Sequence, residues 1–228
     1  VYLSSRKFKT DGKIAIVAKP CDLRAIINLV QENQVKREDV IIIGMVCSGM
    51  KDNDSGKPLE KCNACMEHVP KNCDEIIGDP ASAPKPADPN AEFISLEKLE
   101  AMSPDERWAF WSKEFSKCIR CYACRQVCPM CYCTQCIAQK TQPQWIPSSQ
   151  TPKGNFSFGM FRALHSAGRC VSCGECERVC PVGIPLNLLT AKMRKEIREK
   201  YGYEAGCDPD APAPMCNFKP DDKEDFIR

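Results

Sequence analysis

The chain has 228 residues, with Lys+Arg 32 against Asp+Glu 30 and a formal net charge of +2. That length supports one large domain or two small ones with a real core, and the near balance of charge leaves neither a basic stripe for nucleic acid nor an acidic solvating tail. The longest apolar stretch, Val40 to Cys47, is too short to span a bilayer, so no membrane span is expected.

Cysteine is the outlier: 18 in 228 residues approaches the level of disulfide-stapled secreted chains. Most of these cysteines, however, sit in C-x2-C or C-x-C spacings. Pairs so close in sequence cannot staple distant parts of a fold but can grip one metal centre. No charged-then-apolar leader is visible, and a reducing cytoplasm is the expected compartment. The chain opens on Val1 close to an expected strand, so part of the N-terminus reads as missing.

In chain order, Lys13–Ala18 (KIAIVA) predicts a strand and Asp22 caps a helix reaching about Gln34, with apolar Leu23, Ile26, Ile27 and Val30. Val40–Val46 (VIIIGMV) predicts a second strand. Strand, helix, strand in so short a span is a βαβ unit, with parallel strands expected to be buried on both faces. Gly78 to Asn90 (GDPASAPKPADPN) reads as linker. Ser103, Pro104 and Glu106 form a capping box for a helix running towards Ser116. Beyond Cys180 a helix covers roughly Leu186–Tyr201, with Lys192, Glu196 and Lys200 as a ladder of opposite charge. From Cys207 onward the chain reads as irregular.

One internal repeat dominates. Cys118–Pro129 (CIRCYACRQVCP) and Cys170–Pro181 (CVSCGECERVCP) share the pattern C-x2-C-x2-C-x3-C-P. In two-cluster ferredoxins the first three cysteines wrap one 4Fe–4S cube and the fourth ligates the other cluster. The first cluster is therefore assigned Cys118, Cys121, Cys124 and Cys180, and the second Cys170, Cys173, Cys176 and Cys128. Zinc sites usually come as two C-x2-C pairs across a longer loop rather than as one four-cysteine run. The two motifs are unusually far apart, and the intervening residues include Trp145, Phe156, Phe158 and Phe161, expected to cover the clusters.

A second cysteine set follows. Cys131, Cys133 and Cys136 (CYCTQC) form a triplet, and the N-terminal half adds Cys21, Cys47, Cys62, Cys65 and Cys73. Cys21 follows the first strand and Cys47 the second, at the carboxyl ends where open α/β sheets bind ligands, and Cys62 and Cys65 can fold back to meet them. This predicts a third cluster whose fourth ligand is either Cys21 or Cys73. If Cys73 is used, Cys21 is free to complete a fourth cluster with the triplet. Cys207 and Cys216 are left over. His68 and His165 sit in no nucleophile or base constellation.

Lys19-Pro20-Cys21-Asp22-Leu23, the Gly44–Gly49 segment and Cys62-Asn63-Ala64-Cys65 followed by Ile77-Gly78-Asp79 resemble the coenzyme F-type (deazaflavin) hydrogenase/dehydrogenase beta-subunit family. The resemblance covers roughly Lys13 to Asp79. It implies electron passage between a flavin, an iron–sulfur cluster and partner redox subunits, in anaerobic complexes of formate dehydrogenase, hydrogenase or heterodisulfide reductase type. The family's flavin region is longer than the sequence before the linker, and no Gly-rich phosphate loop is present.

The fold expected is an α/β N-terminal domain, residues 1–79, a linker, 80–103, an α-helical and irregular two-cluster ferredoxin-like domain, 104–202, and an irregular tail, 203–228. The function expected is an iron–sulfur electron relay within a hetero-oligomeric redox complex, without catalysis of its own. The alternative is a subunit that binds FAD and acts directly on a soluble deazaflavin or nicotinamide carrier.

Overall fold

The computed structural model of the chain describes residue 3 and residues 12–53 and 55–214. Cys216 lies outside the described residues. Three strands, β1 (Ile14–Ala18), β2 (Val40–Met45) and β3 (Glu75–Ile77), form a parallel sheet in the order β1-β2-β3. Ile14 stands opposite Val40, and Ile43 opposite Glu75. β3 is the strand that the sequence did not announce. It is only three residues long, and it is secured by Asp74, whose carboxylate accepts from the Ile42 N–H at 2.6 Å and pairs with Arg37.

Helix α1 (Pro20–Gln31) crosses from β1 to β2. Asp22 was expected as its cap, but the helix starts earlier. Pro20, which lacks an N–H to satisfy, takes the first turn, and the Asp22 carboxylate reaches back to the Lys19 N–H at 3.2 Å. The helix stops at Gln31 because Asn33 turns the chain with φ 55°. Leu23, Ile26 and Leu29 pack with Ala18, Val40 and Ile42 in one buried cluster. The strands were expected to be covered on both faces, but they are covered on one. The single crossover helix shields one side, and Val17, Ile41 and Met45 on the other stay exposed.

A one-turn helix α2 (Glu60–Asn63) carries Cys62. The stretch read as linker contains a helix, α3 (Ile94–Glu100), because Phe93 and Leu96 pack on Ala191 of the C-terminal helix. Helix α4 (Pro104–Ser116) has the capping box anticipated, with Glu106 N–H donating to the Ser103 hydroxyl and the Glu106 carboxylate accepting from the Ser103 N–H. Short α5 (Ala123–Gln126) and α7 (Glu175–Arg178) follow the two cysteine loops. Helix α6 (Pro152–His165), capped by Thr151, fills the interval between the motifs, and α8 (Leu186–Tyr201) closes the domain with the Lys192–Glu196–Lys200 ladder in place.

The hydrophobic cluster under the sheet also takes in Met130, Val171, Ile197, Tyr203 and Ala205. Arg24 donates from Nε and Nη2 to the Ala205 carbonyl at 3.1 and 3.0 Å, and Asn28 donates to the Arg169 carbonyl at 2.9 Å. Glu32, at the end of α1, accepts two bonds from Arg169 and one from the Tyr132 hydroxyl at 2.6 Å. The α/β unit and the cysteine-rich half therefore share a core.

Candidate metal centre

The two repeated motifs adopt the same backbone. Arg120 and Ser172, at matching positions, have φ 57° and 58°, and Tyr122 and Gly174 have φ 59° and 64°. Three of these four are not glycine, so each loop holds costly left-handed turns. Each loop then enters a four-residue helix, α5 or α7, and these two helices pack against each other. That is the pseudo-twofold arrangement implied by the repeat.

The thiols gather as that symmetry requires. A cavity of about 30 Å³ is lined by Cys118, Cys121, Cys124 and Cys180, with Phe158, Ile184 and Leu186 among its apolar walls. Burial pushes the Cys124 thiol up, and Cys118, Cys121 and Cys180 reinforce the shift while Arg162 opposes it. In the second set burial pushes Cys173 up to about 12, with Cys170, Cys128 and Cys176 adding to it. Cys176 is pushed up to about 11, again chiefly by burial, and Cys170 and Cys128 contribute. The fourth cysteine of each motif thus stands with the first three of the other.

At the N-terminal site Cys21 is pushed up to about 11, mainly by burial and Asp22, against Lys19 and Lys61 and with a contribution from Cys47. Burial also raises Cys65, and Cys62 and Cys47 act on it. Cys21, Cys47, Cys62 and Cys65 are therefore neighbours beyond the strand ends. Cys73 is instead packed on the sheet core near Gly44 and Pro70. His68 is buried and brackets Cys47: its Nδ1 lies 2.8 Å from the Cys47 carbonyl, and its own carbonyl accepts from the Cys47 N–H at 2.9 Å. No spacing in the sequence signals that clasp.

Cys131, Cys133 and Cys136 line another cavity, of about 70 Å³, together with Cys128. Cys131 donates to Cys128, which holds the Cys128 thiol down and the Cys131 thiol up. Cys21 does not line this cavity. Of the aromatics expected to cover the sites, Phe158 and Phe161 do so, Phe156 packs in the neighbouring core, and Trp145 stays exposed because its segment runs over the surface.

The donor set fits 4Fe–4S clusters. All seventeen described cysteines are free thiols. Among the described residues no three His, Cys, Asp or Glu side chains converge on one ion; a cube spreads its four thiolates over four irons and needs a cavity between them. Buried guanidinium donors without partners also surround the thiols: Arg162 Nε and Arg125 Nη1, and Nε and Nη2 of Arg194, which lines a small cavity with Cys170. Cluster sulfides are acceptors for such orphaned donors. Burial opposes the charge of Arg162, but Cys176, Cys124, Cys128 and Cys131 outweigh it and raise its pKa. An arginine amid the aromatics of α6 was the one trace of this role in the sequence.

Fold and site together define a 4Fe–4S protein, and residues 114–184 match the family model of the 4Fe-4S dicluster domain. The chain is similar to the F420-dependent formate dehydrogenase subunit beta of Methanocaldococcus jannaschii, 24% identical over 93% of this chain and 78% of that protein. It is also similar to the F420-dependent formate dehydrogenase 1 subunit beta of Methanococcus maripaludis, at 25% over 91% and 76%. The succinate dehydrogenase iron-sulfur subunit of Bacillus subtilis aligns at 25% identity over 69% of this chain and 70% of that protein. The beta-subunit resemblance noted from the N-terminal motifs thus extends along the chain.

Proposed function

We propose that the chain is the electron-relay subunit of a formate dehydrogenase-like complex, working under anaerobic conditions in the cytoplasm, with two clusters on the ferredoxin motifs and a third on Cys21, Cys47, Cys62 and Cys65. The observation that carries this reading is the crossing of the repeated motifs, which brings Cys180 to the first loop and Cys128 to the second. When bound, a 4Fe–4S cluster accepts and releases single electrons.

The chain's own residues prepare the sites. Phe158, Ile184 and Leu186 give the first quartet apolar walls, and Cys121 is its solvent-exposed corner. The Ile184 N–H donates to Cys180 Sγ at 3.4 Å, and the Met50 N–H to Cys62 Sγ at 3.3 Å, polarising thiolates that carry charge. Lys61, beside Cys62, donates to the Cys173 carbonyl at 2.9 Å and pairs with Glu175. One side chain therefore ties the N-terminal site to the second motif. Its stem packs where a Cβ on Gly174 would stand, at 2.9 Å.

Partner subunits are needed to complete the path. The open sheet face, with Val17, Ile41 and Met45, and the nearby Met50 form an adaptable apolar surface next to the third site. No helix of the described residues is long and apolar enough to cross a membrane.

A second reading has one observation in its favour. A cavity of about 740 Å³, lined by Lys61, Asn63, Ser172, Arg178 and Asn187, lies between the third site and the second motif, and that volume suits an organic cofactor such as FAD. A flavin spectrum in gently purified protein would support it.

The relay reading is tested by purifying the tagged chain from its host under strict anaerobiosis. Co-purification with a redox subunit, and appearance of this chain's reduced-cluster EPR signals on adding formate to the complex, are expected. A monomeric, air-stable chain that turns over a small substrate unaided would overturn the reading.

A further inference from the structure

Of the five described thiols left by the three quartets, Cys73 and Cys207 lie apart and the other three gather. Cys131, Cys133 and Cys136 wall the cavity of about 70 Å³, which exceeds the 30 Å³ cavity at the first ferredoxin quartet. The fourth cysteine at its edge, Cys128, stands among Cys173 and Cys176 of the second quartet. Cys21 is beside Cys47. The triplet is therefore one ligand short.

Helix α6 supplies the opposite wall. Phe158, Phe161, Arg162 and His165 fall at i, i+3, i+4 and i+7, one face of the helix, and all four line the cavity. His165 sits at its rim with its ring against Phe161, centroids 3.9 Å apart. Among the described residues no hydrogen-bond partner engages its ring nitrogens. Two buried donors lining the same cavity, Arg162 Nε from α6 and Arg125 Nη1 from α5, have no acceptor. Three thiols, one imidazole and two guanidinium donors facing one space make a ligand set with its sulfide partners already provided for. Imidazole replaces thiolate at iron in other iron–sulfur centres, where the exchange raises the reduction potential.

We infer that Cys131, Cys133, Cys136 and His165 hold a fourth 4Fe–4S cluster, distinct from the three assigned above. Because Cys131 touches Cys128, a ligand of the second cluster, the fourth cluster lies next to it and is magnetically coupled to it. The inference rests on the iron–sulfur reading but not on its partner assignment.

The test uses the full chain, reconstituted anaerobically with iron and sulfide, in wild type and three variants. Wild type should carry about sixteen iron per chain, and Cys133→Ala about twelve, as four cubes against three require. His165→Cys should keep the wild-type iron content yet shift the EPR signal of the coupled second and fourth clusters, leaving the signals of the other two unchanged. His165→Phe should lose iron to a chelator that leaves wild type intact, and should lose the spin–spin splitting on the second cluster's signal. If His165→Phe keeps its iron and its spectrum while Cys133→Ala loses a cube, the cluster exists and the histidine assignment is overturned. If Cys133→Ala keeps the wild-type count, no fourth cluster is present and the inference falls as a whole, leaving the other three untouched.

Discussion

At Gly159 a Cβ would stand 2.2 Å from two carbons of the Phe115 ring, which is buried to 2% exposure. Helix propensity favours alanine over glycine by about 1 kcal/mol, but the ring has no room to retreat, and overpacking of that kind costs about 1–3 kcal/mol. The clash therefore wins. Gly159→Ala should lower the denaturation midpoint of the holoprotein, and a raised midpoint would mean that α4 and α6 do not cross this closely. The thiols set a second expectation at this scale. Burial holds Cys173 at about 12 and Cys176 at about 11, so both are protonated without metal and iron must displace those protons. A raised pKa favours the protonated, metal-free form at every pH below it, and acid strengthens that competition. Chelator-driven iron release should accelerate as the pH falls from about 8 to 6; a pH-independent rate would contradict the assignment.

Among the elements, those with a strong periodic signal were legible. The capping box at Ser103, the apolar run of β2 and the charged ladder of α8 each carry their cause in adjacent residues. Helix α3 does not, because its reason for folding is Ala191, far along the chain. Nor does β3, whose anchor is the Asp74 contact across to β2. The polar reason for ordering the stretch before α3 was equally hidden. Glu92, 8% exposed at its side chain, accepts from Arg194, from Arg198 at 2.9 Å and from Ser172 of the second cysteine loop at 2.9 Å. Removing one partner from a buried ionic network costs about 3–5 kcal/mol, because the charges left behind lack compensation. Glu92→Ala should therefore destabilise the protein by about that amount in denaturant titration and loosen the second quartet before the first. A loss under about 1 kcal/mol would show that water reaches Arg194 and Arg198.

For the whole molecule, the repeat of C-x2-C-x2-C-x3-C-P made the two-cluster core readable, since ligand spacing is local while its symmetry is global. The proposed N-terminal site was half readable: strand ends placed Cys21 and Cys47, but only the fold puts Cys73 into the sheet core. The Lys61 clasp and the shared core beneath α1 join regions more than a hundred residues apart, and no local pattern records them. The account stands on crossed ligation of the two ferredoxin-type clusters, and site-specific EPR tests it most directly. Cys180→Ala should perturb the signal of the cluster held by Cys118, Cys121 and Cys124, and Cys128→Ala that of the cluster held by Cys170, Cys173 and Cys176. If each substitution instead altered only the cluster of its own motif, the pseudo-twofold arrangement would be contradicted.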